Sequence, residues 1–291
     1  MSTSIRGEFA VTLADVSFTY PAAARPAIDG VSLTVRSGEA VVIAGESGSG
    51  KSTLARLVVG LLRATGGTVR TGGMDPALAR PQAIAAFAGL VFQNPNHQLF
   101  ASTVRDELAL GPRNLGMHAT GTATRVDEAA GRLGLETVLG DHPYRLGIAV
   151  RRRVALAAVL AMRPRLLVLD EPSSGQGPAD AARISALIRD EAASGTTLIV
   201  ITHDLTFAAG IAERIVVLRE GRVHGDGPVR DVLAGERLLD DAGLVAPQIV
   251  RLASRLGLSG PHGALLTPDE LLPMLAARDG GVTGEMPGAA E

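Results

Sequence analysis

Cysteine is absent from all 291 residues, which excludes disulfide frameworks, thiolate metal sites and cysteine nucleophiles and fits a cytoplasmic protein. Oxygen and nitrogen groups must carry any chemistry. Aromatic residues make up only 3% and the formal net charge is −2, so the chain offers neither the basic face nor the stacking rings of a nucleic-acid binder. No apolar run approaches the roughly 20 residues that a bilayer-spanning helix needs; the longest near a helical pattern covers residues 154–162. Residues 1–10 lack the charged start, apolar stretch and cleavage site of a secretory signal. A soluble chain is expected, with any membrane role supplied through a partner. Lysine is nearly absent too: every one of the 28 basic residues except Lys51 is arginine. A guanidinium is a broad planar fork and an ammonium a compact charge on a slim stem, so a place reserved for lysine is expected to be tight and to meet a point anion.

What is present is a 46% apolar content, enough for one main domain with a small appendage. Residues 11–20 alternate apolar and polar side chains up to Pro21 and read as a sheet-edge strand with a turn; residues 31–35 repeat the pattern. Ala40-Val41-Val42-Ile43-Ala44 is a continuous apolar run of the kind found in buried parallel strands, followed by a glycine-rich loop and a helix over 52–62. Residues 95–162 read as an inserted helical subdomain with breaks at Gly111-Pro112 and Asp141-His142-Pro143. Buried strands over 166–169 and 197–201 flank a helix over 179–193, giving βαβ order and a parallel sheet. Residues 215–218 and 220–223 suggest a closing hairpin. Helices are expected over 231–243 and 247–256, and Thr267-Pro268-Asp269-Glu270 reads as the capped start of another. The expected organisation is an α/β main domain over 1–230, a helical appendage over 231–278 and a loose tail over 279–291.

Gly45-Glu46-Ser47-Gly48-Ser49-Gly50-Lys51-Ser52 matches G-x-x-x-x-G-K-[ST] between a buried strand and a helix. Glycines let backbone N–H groups wrap phosphates, the helix N-terminus adds partial positive charge, Lys51 reaches the β- and γ-phosphates and the Ser52 hydroxyl ligates Mg²⁺. ATP and Mg²⁺ are therefore the expected ligands, and the only lysine lies among them. Leu166-Leu167-Val168-Leu169 ends in Asp170-Glu171-Pro172, which assigns Asp170 to the metal and Glu171 to the attacking water as general base. Taken alone, such acids also fit a solvated strand end. His203, just past Leu198-Ile199-Val200-Ile201-Thr202, lies where this sheet type binds ligands and could contact the γ-phosphate; taken alone, a histidine is more often structural.

In this order the motifs resemble the ATP-binding domain of ABC transporters over about residues 11–230, a P-loop NTPase core with a mainly parallel sheet, an antiparallel β subdomain and an inserted helical subdomain. The resemblance implies that Tyr20 stacks on adenine, that Thr53 joins residues 45–52 around the nucleotide, and that Gln93 in Leu90-Val91-Phe92-Gln93-Asn94-Pro95 reaches the metal and reports nucleotide state to a membrane subunit. Without that context Tyr20 reads equally as packing and Gln93 as a loop residue. The stretch FQNPNHQLFASTVRDELALGPRNLG over 92–116 and Ala242-Gly243-Leu244-Val245-Ala246-Pro247 are similar to the ATPases of energy-coupling-factor transporters, which take up vitamins and cobalt or nickel ions. That likeness implies a second ATP-binding subunit, a transmembrane coupling subunit and a membrane-embedded substrate-binding subunit, with this chain peripheral on the cytoplasmic face of the membrane.

The chain departs from the family where LSGGQ and then R-Q-R would fall. Only Leu146 survives from the first, followed by Gly147-Ile148-Ala149-Val150 and Arg151-Arg152-Arg153. Gly147 lacks the signature hydroxyl, Ile148 puts a β-branched side chain where close approach is wanted, and Gly177 stands where an aspartate is expected. An asymmetric dimer with an intact partner is the expectation, against a module that binds ATP and dimerises with little turnover of its own. A role in DNA repair or translation lacks the tandem domains, coiled coil or basic surface it would need. The arginine triplet reads by default as a solvated helix face.

Overall fold

Strands come first among the described residues because apolar and polar residues alternate there. In the computed structural model, which describes residues 8–260 and 263–279, Phe9–Phe18 (β1) pairs antiparallel with Ile28–Arg36 (β2). The next elements are Ala40–Ala44 (β3), Lys51–Val58 (α1), Gly66–Thr71 (β4), Pro81–Phe87 (α2) and Ala88–Val91 (β5). Val104–Asn114 (α3), Ala119–Leu133 (α4) and Ile148–Leu160 (α5) form the helical insert. Leu166–Asp170 (β6), Pro178–Ala193 (α6), Thr197–Thr202 (β7), Leu205–Ala209 (α7), Arg214–Arg219 (β8) and Arg222–Pro228 (β9) complete the α/β core. Val229–Ala234 (α8), Glu236–Asp241 (α9), Gln248–Arg255 (α10) and Pro268–Asp279 (α11) follow.

Two sheets result, a three-stranded one ordered β2-β1-β4 and a six-stranded one ordered β5-β6-β7-β3-β8-β9. The larger is parallel except for β9, which returns from β8 as an antiparallel hairpin. Side chains alternate across a strand, so Val41 and Ile43 face the antiparallel sheet and α1, while Val42 and Ala44 face the helical side. Both faces of β3, β6 and β7 are covered, which is why their sequences are continuously apolar. Leu54 and Leu57 anchor α1 against the sheet; both are fully buried, each contributing on the order of 2 kcal/mol.

Several expectations are corrected. β1 lies in the middle of its sheet and not at an edge, because β4 pairs along its other side. The first helix ends at Val58 and not at residue 62: Gly60 turns the chain out at φ 75°, where a Cβ would lie 2.2 Å from the Pro76 carbonyl oxygen. α3 runs through Gly111-Pro112 without a break, the proline falling near its C-terminus where only one helical hydrogen bond is lost. The helix expected over 231–243 is divided at Gly235, whose φ −80°, ψ 74° is not helical. Of the expected tail, Asp279 closes α11 and residues 280–291 lie outside the described residues.

Beyond β9, Val232, Leu233, Leu239, Leu244 and Val250 join the core on the helical side of the large sheet, whereas Ala253, Leu265 and Leu271 form a small cluster of their own. That cluster is tied down by Arg230, whose guanidinium donates to both Glu270 oxygens at 3.0 and 2.7 Å and to the Ala264 carbonyl at 2.7 Å. Glu270 also accepts from the Leu266 N–H at 2.8 Å, and its own N–H donates to the Thr267 hydroxyl at 3.3 Å, so the capped helix start is present. The Arg230 hydrogen bonds, with the backbone bonds, hold the Glu270 carboxyl down at about 2 from an ordinary value of 4.5. A carboxylate whose folded pKa is depressed stabilises above its unfolded pKa and loses that contribution as pH falls through the folded one. Amide exchange in α11, corrected for intrinsic rates, is therefore expected to accelerate between pH 4.5 and about 2. In Glu270→Gln it should be faster at neutral pH and flat across that window.

Candidate active site

The buried strand β3 delivers the chain into the loop Gly45–Gly50, and α1 starts at once from Gly50, whose φ of 104° is open to glycine alone. A Cβ at Gly50 would stand 2.4 Å from the Ala27 carbonyl oxygen, so the start of β2 closes directly on the loop. The Gly221 N–H, in the β8–β9 turn, donates to the Ser49 carbonyl at 3.0 Å and braces it from the other side. Nothing in the sequence signals these two supports, since both come from residues remote in the chain. α1 has no side-chain cap and no acid in its first turn, which leaves its N-terminal N–H groups available to an anion.

Lys51 is 7% exposed. Its ammonium donates to the carbonyls of Gly45 at 2.7 Å and Glu46 at 2.8 Å and to the Ser49 hydroxyl at 3.4 Å. Burial lowers its pKa, opposed by the charges of Glu171, Asp170 and Glu46. The Ser52 hydroxyl donates to Asp170 Oδ1 at 3.1 Å. Burial raises the Asp170 carboxyl above its usual range, with the Ser52 hydrogen bond working against that. This hydroxyl and carboxylate are hard oxygen donors of the kind Mg²⁺ takes together with phosphate oxygens. Among the described residues no cluster of three or more His, Cys, Asp or Glu side chains is placed to hold a metal.

Glu171 follows β6 with φ 50°, a left-handed backbone that is uncommon for a side chain of this size. Its N–H donates to the Ile201 carbonyl at 2.9 Å, which ties it to β7. Its carboxylate accepts from His203 Nδ1–H at 2.8 Å through Oε1 and from the Thr202 hydroxyl at 3.3 Å through Oε2. The carboxyl is buried, whereas the imidazole is largely exposed. Because β6, β7 and β3 are neighbours in the sheet, the loop, the acids and the histidine converge at one end of it.

Tyr20 packs its ring edge-on against Phe18, and its hydroxyl lies 3.2 Å from the Thr53 hydroxyl and accepts from Arg56 at 3.4 Å. This places Tyr20 and Thr53 beside the first turns of α1. Arg56 was not marked by any motif, yet its charge also acts on Asp170. Gln93, exposed after β5, lines a small cavity with Asp170 and Glu171. Glu46, Ser47 and Gly48 border a cleft of about 380 Å³ whose far wall is Asp240 to Gly243. The degenerate signature forms the start of α5, with Gly147 as an N-cap that supplies no side-chain hydrogen bond and Ile148 45% exposed.

The ABC transporter family profile matches residues 28–174. The energy-coupling factor transporter ATP-binding protein EcfA2 of Symbiobacterium thermophilum is 41% identical over 233 residues, covering 79% of this chain and 81% of that protein. A putative ABC transporter ATP-binding protein of Caldanaerobacter subterraneus is 38% identical over 251 residues; the alignment takes in 86% of this chain but only 44% of that relative's length. Among solved structures CbiO1 of Clostridium perfringens, part of the ABC transporter complex CbiONQ, superposes with a TM-score of 0.71 at 27% identity, covering 87% of this chain and 100% of that one.

The seat around Lys51 is small and lined by oxygens, so the broader guanidinium that serves everywhere else in the chain should not fit it. Lys51→Arg is expected to weaken ATP binding by about 100-fold or more, roughly 2.7 kcal/mol. Titration with a fluorescent ATP analogue checks this, and unchanged affinity would show that the seat does not discriminate.

Proposed function

This chain belongs to the ABC transporter ATP-binding family, and we propose that it is an ATP-binding and hydrolysing subunit, one half of an asymmetric ATPase dimer, energising an energy-coupling-factor importer of a vitamin or transition-metal ion. Proteins of this family are ATPases coupled to transport. The observation that carries the catalytic part is the buried Glu171 carboxylate, held by His203 and Thr202 beside the Lys51 loop.

In the proposed reaction the loop amides and α1 N-terminus receive the phosphates, and the Lys51 ammonium offsets their charge. Glu171 takes a proton from the water that attacks the γ-phosphate, and His203 orients that carboxylate and lies within reach of the same phosphate. Tyr20 and Thr53 flank the adenosine end, and Gln93 lies on the side of Asp170. Ser52, Asp170 and Gln93 are the residues that would hold Mg²⁺, which supplies charge neutralisation of the phosphates when bound.

The asymmetric arrangement is supported by the start of α5. It presents no hydroxyl, and an exposed isoleucine stands where a second subunit's nucleotide would have to approach. A partner ATPase with an intact signature would complete the site built on Lys51, Asp170, Glu171 and His203. The relatives named as energy-coupling-factor ATPases support the transmembrane coupling subunit and the membrane-embedded substrate binder as further partners. Among the described residues no helix is long and apolar enough to cross a membrane, so a place at the cytoplasmic face of the cell membrane would depend on those partners.

The same exposed isoleucine favours a second reading, a nucleotide-dependent dimerisation module with little turnover of its own. Glu171→Gln in the assembled complex separates the two: hydrolysis should fall about 100-fold or more with ATP binding retained, whereas an unchanged rate removes that carboxylate from the chemistry. Turnover per chain should also rise when the partner ATPase is added to the purified protein. Equal turnover with and without it would refute the asymmetric dimer.

A further inference from the structure

We propose that Arg152 is a positioning residue for Glu171, clamping from α5 the loop that follows β6 and so holding the carboxylate in its strained backbone conformation. The inference rests on the reading of Glu171 as general base.

A left-handed glutamate persists only where its surroundings over-determine it. On one side the restraint is the hydrogen bond from the Glu171 N–H to Ile201. On the other, the Glu171 carbonyl accepts from the Ser174 N–H at 3.2 Å, and the Ser174 carbonyl in turn accepts from the Arg152 guanidinium. The turn from Glu171 to Ser174 is thus pinned between β7 and α5. Its continuation is soft, with glycine at 175 and 177, and its remaining bonds are internal: Gln176 N–H to the Ser173 carbonyl at 3.1 Å and Gln176 Nε2 to the Pro172 carbonyl at 3.4 Å. Arg152 is the clamp that reaches it from the helical subdomain.

The guanidinium lies along this loop, since a Cβ on Gly175 would meet its two terminal nitrogens at 3.5 and 3.7 Å. Arg152 Nε and Gln176 Oε1, a donor and an acceptor, are both buried and line one cavity of about 20 Å³ that also borders Asp170 and Glu171. The flanking arginines go elsewhere. Arg151 donates to Asn96 Oδ1 at 2.7 Å and lies over the Tyr144 ring, and Arg153 donates to the Leu133 and Gly134 carbonyls at 2.7 and 3.2 Å. The triplet is not a solvated face, and its middle member alone is bound to the segment carrying the base. The resembled pattern has glutamine at this position; an arginine makes the donor charge-assisted and gives it several N–H groups in a rigid fork.

The test is steady-state ATP hydrolysis by the full chain assembled with a second ATP-binding subunit. Arg152→Ala is expected to lower kcat about tenfold, the scale of one charge-assisted hydrogen bond, with KM for ATP within twofold because the phosphate loop is untouched. Arg152→Lys should recover most of the rate, Arg152→Gln less. In a Glu171→Gln background Arg152→Ala should cost little more, since the clamp acts through that carboxylate. If the alanine variant does not fold, as read by melting temperature and ATP binding, the order Arg, Lys, Gln in kcat at constant KM carries the test. Equal kcat across that series, while Glu171→Gln abolishes turnover, overturns the positioning role alone. A full further loss in the double variant also overturns it, marking a general structural defect. Wild-type hydrolysis by Glu171→Gln overturns the base and its clamp together.

Discussion

A single buried ammonium gathers the reactive end of this molecule. Lys51 sits among the oxygens of Gly45, Glu46 and Ser49, and its place requires that β3 hand over to α1 within one tight loop. Within the loop the bonds are those of the ammonium and one turn, from the Ser49 N–H to the Glu46 carbonyl at 3.1 Å. It is held because β3 is hydrogen-bonded on both edges, to β7 and β8, and because Ala27 and Gly221 close on its last residues. A slip of β3 by one residue would exchange the side chains on its two faces and put Val42 where Ile43 packs. The two cores on either side of the sheet therefore fix the position of the lysine.

Sheet order turns separate motifs into one site. Asp170 and Glu171 end β6, His203 follows β7, and the loop follows β3, three strands that are neighbours in space though far apart in sequence. Their charges are also interdependent. Burial disfavours the charged form of Lys51 and of Asp170 alike, and each group's opposite charge offsets part of that cost for the other. The Glu171 carboxylate lies between Thr202 and His203, one contact to each of its oxygens, and both partners come from the end of the neighbouring strand β7.

The parts legible in the sequence were those whose physical cause is local. Strands β3, β6 and β7 are apolar on both faces and announce themselves as runs, and the phosphate loop is specified by the backbone needs of a few consecutive residues. β4 was not legible, because Gly66, Gly67 and Thr68 carry no apolar alternation and the strand exists only by pairing with β1. That missing neighbour is also why β1 reads as an edge. The end of α1 and the division at Gly235 turn on glycines whose effect depends on what packs against them, Pro76 in the first case. In the site, Lys51, Ser52, Asp170, Glu171 and His203 were singled out from the sequence and lie together at one end of the sheet, whereas Arg56, Thr202 and Arg152 could not be found by motif. Each meets a partner more than 20 residues away in the chain, so that only the fold brings the two together.

The start of α5 brings these threads together. A helix N-terminus favours acids and a capping side chain, yet α5 has neither: Gly147 caps without a side chain, no acid lies in the first turn, and arginines occupy 151 to 153. Those three charges lie one turn into the helix, close to one another and to its positive end, and gain from being dispersed. Each arginine reaches an oxygen on a different segment, the Asn96 side chain, the Ser174 carbonyl and the carbonyls closing α4. Those oxygens disperse the charge, and in doing so they bind α5 to the loop beyond Gln93 and to the loop beyond Glu171. The same stretch that offers neither a hydroxyl nor an acid at its exposed N-terminus thereby ties the helical insert to the loop that follows β6.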